Sequence, residues 1–215
     1  MSVWDSLKIA IVRLLDEQPR ALTSYPDPRV DRDRRPPFSI GLAAWATGAA
    51  RELHDRFGGD VMLTVGALPY PPNNDRRVPA RGALDAPVVD PARIGIDPSE
   101  PLSVRTGHTR RQELLLTNRT ESLVMISSNG QLTAVILDPV SHRVVGGFSG
   151  AQTLAHVSFG IVPGATRAIP LLVGTASVDP ALGYAVPAGE WALWAPIAIN
   201  GDRMSTPILP VAVTD

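Results

Sequence analysis

The fold is decided by residues 112–150, which read QELLLTNRTESLVMISSNGQLTAVILDPVSHRVVGGFSG. Short runs of alternating apolar and polar residues are separated here by Asn, Asp, Gly and Ser. An alternation with a period of two residues is typical of strands that bury one face. The stretch therefore predicts successive strands at Gln112–Thr117, Ser122–Ser128, Leu132–Asp138 and Arg143–Phe148.

The same pattern continues to the C-terminus. Further strands are predicted at Thr153–Val162, Arg167–Val173, Glu190–Ile199 and Pro207–Thr214. Turn residues stand between the strands, and among them Asn129-Gly130 is a strong signal for a two-residue hairpin. Short strands at this regular spacing indicate a sandwich or a barrel. We therefore expect residues 102–215 to form a β-sandwich domain.

Helical spacing replaces this alternation near the N-terminus. A helix is predicted from Val3 to about Asp16, with Ser2 as its N-cap. Its apolar stripe consists of Trp4, Leu7, Ile11 and Leu14. Such a stripe packs on the rest of its own chain more often than on a partner.

A strand–helix–strand unit follows this helix. Phe38–Leu42 predicts a short strand, Ala43–Phe57 a helix with Trp45 on its apolar face, and Asp60–Ala67 a second strand. Residues 1–68 are thus expected to form a helical and small α/β region. A unit of this size is not stable alone, so it must pack on the first helix or on the sandwich.

Residues 69–101 contain proline at eight positions. Proline at this density interrupts helices and sheets, so we expect a linker or a surface strap, with a short strand at Pro87–Val89. The predicted fold class is α+β. It comprises the N-terminal helix and strand–helix–strand region, a Pro-rich strap, and an immunoglobulin-like β-sandwich at the C-terminus.

Composition excludes several classes of function. The 20 Lys and Arg residues nearly balance the 21 Asp and Glu residues, which argues against nucleic acid or an anionic membrane as a partner. The lack of cysteine excludes disulfides and thiolate metal sites.

The N-terminus does not match a signal peptide, and no apolar run approaches the roughly 20 residues of a membrane span. We expect a soluble, cytoplasmic protein without a cofactor. All but one of the basic residues are Arg, which indicates a GC-rich bacterial genome.

The turn motifs follow one another in a familiar order. They are Leu116-Thr-Asn118-Arg-Thr-Glu-Ser-Leu, Ser128-Asn-Gly-Gln131, Leu137-Asp138-Pro, Ser149-Gly150 and Pro163-Gly164. In this order they resemble immunoglobulin-like modules of the bacterial intracellular proteinase-inhibitor type. The segment Gly183-Tyr184-Ala-Val-Pro-Ala-Gly189-Glu-Trp191 looks like the entry to the final strand of such a module. The aromatic residues around that family's Trp-Ser pair are absent. The resemblance implies a sandwich with a binding role.

Motifs of known chemistry are weak in this chain. Gly147-Phe-Ser149-Gly150 lacks the spacing and the strand-to-helix context of a hydrolase nucleophile elbow. The four histidines occur singly, without the short spacings that zinc sites use. Glycine-rich nucleotide-binding loops are absent as well. We predict no catalytic, cofactor-binding or metal-binding residue.

A non-catalytic protein, which binds a partner or serves as an accessory or assembly component, is the function that these patterns favour. The partner is another protein or a second copy of the chain. The residues of this chain that are expected to contact it are Tyr70, Pro71, Pro72 and an exposed Trp194. Whether a small-molecule ligand binds is left open.

Two alternatives remain. One is a hydrolase-like enzyme whose site forms between the N-terminal region and the sandwich and draws on Asp60, His54, His108 or His156. The other is a self-assembling structural subunit in which the first helix docks on a neighbouring copy.

Overall fold

The computed structural model describes residues 2–26, 38–72, 86–150 and 156–215. Within these ranges the chain forms two α-helices and eighteen short strands. It therefore belongs to the α+β class and is rich in strands, which confirms the predicted class. The strands form four sheets, one in the N-terminal part and three in the remainder. Neither described helix is long and apolar enough to span a bilayer.

The N-terminal helix α1 (Val3–Glu17) begins at a complete capping box. The Ser2 hydroxyl accepts a hydrogen bond from the Asp5 backbone N–H, and the Asp5 carboxylate accepts one from the Ser2 N–H, each at 3.1 Å. The side chains of Leu7, Ile11 and Leu14 are buried in the core of their own chain. The apolar stripe of α1 thus packs within the molecule.

The first sheet contains β1 (Leu22–Ser24), β2 (Phe38–Leu42), β3 (Val61–Val65) and β4 (Leu68–Tyr70), in that order. Strands β2 and β3 are parallel, and helix α2 (Thr47–Phe57) connects them, as the strand–helix–strand prediction requires. The outer strands β1 and β4 pair antiparallel to these two. Both helices share one core with this sheet.

The other strands lie in the rest of the chain. They are β5 (Ile94–Pro98), β6 (Ser103–Arg105), β7 (Thr109–Asn118), β8 (Val124–Ser128), β9 (Leu132–Thr133), β10 (Val135–Leu137), β11 (Val144–Gly147), β12 (Val157–Ile161), β13 (Thr166–Gly174), β14 (Ala176–Ser177), β15 (Gly189–Trp194), β16 (Pro196–Ile199), β17 (Asp202–Ser205) and β18 (Leu209–Thr214). Their sheets have the orders β14-β11-β10-β15-β18-β6, β12-β8-β16-β17 and β5-β7-β13-β9. Apolar side chains from all three sheets form one continuous core. We refer to residues 86–150 and 156–215 as the β-region.

Three details of the strand prediction are wrong. The predicted strands Leu132–Asp138 and Glu190–Ile199 are each divided, because the chain passes from one sheet to another at Ala134 and at Ala195. Asn129-Gly130 does not close a hairpin, because β8 pairs with β12 and β16, whereas β9 pairs with β13. The first residues of the predicted strand Thr153–Val162 lie outside the described residues.

The predicted strap contributes strands at both of its ends. Residues 68–70 form β4 of the first sheet, and Ile94–Pro98 forms β5 beside β7. The expected strand at Pro87–Val89 is a single bridge to Ser205, whose backbone N–H donates to the Pro87 carbonyl and whose carbonyl accepts from Val89. Residues 73–85 of the strap are not among the described residues.

The turn after β7 is organised by the buried side chain of Asn118. Its Nδ2 donates to the carbonyls of Ser122 at 2.7 Å and Ile161 at 2.8 Å. Its Oδ1 accepts from the backbone N–H and the hydroxyl of Thr120. One side chain thereby joins the β7–β8 turn to the end of β12.

Candidate functional site

The helices α1 and α2 and the first sheet, together called the N-terminal layer, meet the β-region at a junction of aromatic side chains. Tyr70, the last residue of β4, lies between His54 of α2 and Tyr184 of the β-region. The Tyr70 and Tyr184 rings stack with their centroids 5.9 Å apart, and the His54 ring meets Tyr70 edge-on at 5.6 Å. All three side chains are half-buried. We call these three residues the aromatic cluster.

Backbone hydrogen bonds position Tyr184 for this contact. Its carbonyl accepts from the Ser177 N–H, and its neighbour Ala185 forms a bridge with Ala176 of β14. Its hydroxyl donates to the Pro69 carbonyl at 3.4 Å, which links the β-region to β4. Burial, together with the nearby Tyr70, raises the pKa of Tyr184 to about 12. The Tyr184 hydroxyl therefore stays protonated over the physiological pH range.

A second aromatic pair lies at the same junction. Trp45 stacks on His108 with ring centroids 5.6 Å apart and planes inclined by 9°. Trp45 was predicted on the apolar face of a helix, but α2 begins at Thr47, and Trp45 stands in the turn before it. Burial, and secondarily the Arg105 guanidinium, lowers the pKa of His108. The stacked imidazole is thus held in its neutral form to a lower pH than an exposed one.

Two glycines allow the layers to approach this closely. Gly66, with φ of +60°, leaves room only for hydrogen: a methyl group there would lie 3.0 Å from Ala176 Cβ and 3.3 Å from the Tyr184 carbonyl oxygen. Gly107, with φ of +73°, would place a methyl group 2.9 Å from Trp45 Cβ. At this junction, the backbone of each part of the chain therefore packs directly against a side chain of the other part.

Two of the predicted contact residues are exposed beside the aromatic cluster. Pro71 and Pro72 follow Tyr70 directly, and both are solvent-exposed. The peptide bond between Tyr70 and Pro71 is cis. Tyr70, Pro71 and Pro72 thus form a continuous segment at the edge of the first sheet.

The fourth predicted contact residue lies elsewhere. Trp194 is 3% exposed, so the expectation of an exposed side chain is wrong. It packs with Leu137 and Ala192 in a small apolar cluster apart from the main core. Its indole N–H is buried without a hydrogen-bond partner. The Trp194 side chain is therefore not accessible to a partner in this conformation.

The residues considered for an enzymatic site are distributed over the molecule. His54 and His108 each pack against an aromatic ring at the junction. His156 is exposed next to β12, and Asp60 is exposed in the short turn before β3. No group of three or more His, Cys, Asp or Glu that could hold a metal ion occurs within the described ranges.

Tyr184 and the Trp45–His108 pair are the junction features that sequence reasoning missed. Tyr184 stands between the turn residues Gly183 and Pro187, and an aromatic residue inside such a turn-rich segment is a usable signal for a packing contact. No comparable local signal relates Trp45 to His108, because they are far apart in sequence.

No protein-family model matches the chain, and no curated protein matches it. Among solved structures it is similar to a β-glucosidase from Listeria innocua in complex with glucose, with 11% sequence identity and a TM-score of 0.34. That match covers 57% of this chain and only 16% of the β-glucosidase.

Two other solved structures are similar over comparable lengths. The Pseudomonas fluorescens alkylpurine DNA glycosylase AlkC matches with 14% identity and a TM-score of 0.29, over 57% of this chain and 30% of that one. PapD-like domain 7 of human CEP192 matches with 12% identity and a TM-score of 0.29, over 63% of this chain and 95% of that domain. TM-scores this low carry no argument about fold or function.

Proposed function

We propose that this chain is a non-catalytic binding protein, an accessory or assembly component whose protein partner contacts Tyr70, Pro71 and Pro72. The observation that carries this proposal is the packing of Tyr70 between the rings of His54 and Tyr184, next to two exposed prolines. Tyrosine is enriched among residues that dominate binding energy. A ring already held by its neighbours loses little conformational entropy when a partner binds.

The β-region supports the same proposal. We infer that residues 102–215 are an immunoglobulin-like sandwich of the proteinase-inhibitor type, on the strength of the turn motifs and of three sheets around one core. Sandwiches of this kind frequently serve as binding modules, although a fold alone does not determine a function.

The two alternatives have weaker support. The histidines considered for a hydrolase pack against aromatic rings at the junction or lie apart from it, and the apolar stripe of α1 is buried in its own chain. An activity screen tests the first alternative, and light scattering on the purified chain tests the second.

An affinity capture of the tagged chain from its native host lysate, identified by mass spectrometry, tests the proposal. We expect a stoichiometric partner that is lost with Tyr70→Ala and with Pro72→Asp. Tyr25→Ala is the matched control, because Tyr25 is exposed and follows β1, at the opposite edge of the same sheet. Pro72 is exposed, so its variant should fold normally even if Tyr70→Ala does not. Capture of the same partners by the folded Pro72→Asp and Tyr70→Ala variants would refute the proposed contact surface.

A further inference from the structure

Strand β12 has one unpaired edge among the described residues. Its other edge pairs with β8 in five consecutive antiparallel pairs, without a bulge. In an antiparallel strand, alternate residues point their backbone N–H and C=O groups away from the neighbouring strand. The outer edge of β12 therefore presents backbone donors and acceptors that a further strand can bind.

The other sheet edges in the described ranges are protected. Strand β17 carries Asp202 and Arg203, and at Ser205 the Pro87–Val89 segment covers its edge through two backbone hydrogen bonds. Strand β5 carries Asp97 and Pro98, and the Arg119 guanidinium lies where a side chain on Gly95 would begin. The remaining edge strands β1, β4, β6, β9 and β14 have two or three residues each.

By contrast, β12 lacks these protections. It reads Val-Ser-Phe-Gly-Ile and has no charge, no proline and no bulge. Natural proteins use charges, prolines, bulges or very short strands to prevent edge pairing. The one long edge in the described part of the chain that has none of them is therefore a surface suited to binding another strand.

The two faces beside this edge differ in chemistry. On one face, Leu123 and Met125 lie over Gly160: a methyl group there would be 2.9 Å from Leu123 Cδ1 and 3.4 Å from Met125 Sδ. Both side chains are more than a third exposed. On the other face, the guanidinium carbon of Arg167 lies 4.1 Å from the centre of the Phe159 ring. Within the described residues no carboxylate pairs with Arg167.

We propose that the outer edge of β12 binds an extended segment of a partner protein in which apolar and acidic residues alternate. Side chains of a strand point alternately to its two faces. The apolar residues of the partner segment would pack on Leu123 and Met125, and its acidic residues would approach Arg167. This surface is separate from Tyr70 and does not depend on the role proposed for Tyr70.

Charge argues against a second copy of the chain as the occupant. Two β12 strands paired around a twofold axis at Phe159 would bring those two rings within about 6 Å of each other. In each copy the Arg167 guanidinium lies over the Phe159 ring. The two guanidinium groups would therefore come within roughly one Debye length and repel each other. The carboxylates of an acidic segment would instead be attracted to the Arg167 guanidinium.

A synthetic peptide library tests the proposal on the full chain. The peptides have about eight residues, with Val, Leu, Ile or Phe at odd positions and Asp, Asn, Thr or Lys at even positions. We expect the immobilised chain to retain peptides with Asp at the even positions. Retention of no peptide at about 1 mM, or equal retention of Lys and Asp peptides, would overturn the proposal.

Proline variants test whether the edge itself is used. The N–H groups of Val157 and Ser158 point to opposite sides of β12. One of the two substitutions, Val157→Pro or Ser158→Pro, therefore removes an outward donor and leaves the pairing with β8 intact, whereas the other removes a donor to β8. We expect the variant that keeps the wild-type unfolding temperature to bind the selected peptide at least about tenfold more weakly. Wild-type affinity of that variant would overturn the proposal.

Arginine variants test the predicted charge preference. Arg167→Gln should reduce the preference for the Asp peptide over its Asn analogue by about threefold or more. Arg203→Gln is the matched control and should preserve this preference, because Arg203 lies on β17, at the opposite edge of the sheet that contains β12. An unchanged preference in Arg167→Gln, or a concentration-dependent dimer that competes with the peptide, would overturn the assignment of the partner.

Discussion

Gly66 shows how a single residue controls the junction between the two parts of the chain. It combines a left-handed backbone conformation with a close approach to the Ala176 side chain and the Tyr184 carbonyl of the β-region. A residue with a Cβ atom is disfavoured in this conformation even in open space. Here the space is also occupied, so glycine is needed for both reasons.

Substitution of this glycine should destabilise the whole chain. We expect Gly66→Ala to lower the free energy of unfolding by about 1–3 kcal/mol, as measured by urea denaturation. Gly48→Ala is the matched control, because Gly48 lies in α2 with no atom near its vacant Cβ position. The control should be neutral or stabilising by about 0.4–1 kcal/mol. Equal effects of the two substitutions would show that the junction is looser than the contacts around Gly66 imply.

Trp194 shows what a sequence pattern does not reveal at the scale of one residue. Alternation predicts that Leu193 and Trp194 point to opposite faces, and they do. It does not predict whether the second face is covered. Both faces of this sheet are buried at the C-terminal half of β15, so the residue expected at the surface is inside the molecule.

At the scale of secondary structure elements, the sequence predicted strands better than their partners. The run from Glu190 to Ile199 was predicted as one strand, and it is β15 and β16 in two different sheets. Ala195 separates them, and its N–H donates to the Thr206 hydroxyl. A change of sheet preserves the apolar composition of the run, so hydropathy contains no sign of it.

The Asn118 side chain is the element-scale feature with the clearest energetic consequence. Its amide joins the β7–β8 turn to β12 through one part-buried and one buried hydrogen bond. Asn118→Ala would leave the Ile161 carbonyl and the turn without their partner, so we expect a loss of about 2–4 kcal/mol in the free energy of unfolding. Chemical denaturation measures this loss.

Asn118→Asp serves as the companion variant to Asn118→Ala. It keeps an acceptor for Thr120 but places a carboxylate oxygen against the Ser122 and Ile161 carbonyls, so it should also be destabilising. A wild-type unfolding midpoint for either variant would contradict the role given to Asn118.

At the scale of the molecule, the class α+β and the positions of most long elements could be predicted from periodicity. Helix α1, the strand–helix–strand unit and strands such as β7 and β13 follow local patterns. The junction could not be predicted, because Trp45 and His108, or Tyr70 and Tyr184, meet only after the chain has folded. Of the four predicted contact residues, Tyr70, Pro71 and Pro72 are adjacent in sequence and come together for that reason, whereas Trp194 is buried.

The junction should make stability depend on pH. Burial, and secondarily the Arg105 guanidinium, lowers the pKa of His108 below its ordinary value. As the pH falls below about 6.5, the unfolded chain therefore binds more protons at this residue than the folded chain does. The contribution of His108 is complete above that pH and is lost as the pH falls through the folded pKa.

Urea denaturation at pH 8 and at pH 5 measures this dependence. We expect a smaller loss of stability on acidification in His108→Gln than in the wild type, and an intermediate loss in Arg105→Gln. The same loss in all three proteins would contradict the assignment to His108.

The hydrogen bond from Tyr184 to the Pro69 carbonyl has a consequence for synthesis on the ribosome, because it joins residues 115 positions apart. Translation adds roughly 5–20 residues per second, so β4 leaves the exit tunnel on the order of ten seconds before Tyr184 is made. During that interval the nascent N-terminal layer carries Tyr70 without Tyr184, the ring of the β-region that stacks on it. A chaperone that recognises aromatic residues in nascent chains therefore has its opportunity to bind in this interval, before the β-region is complete.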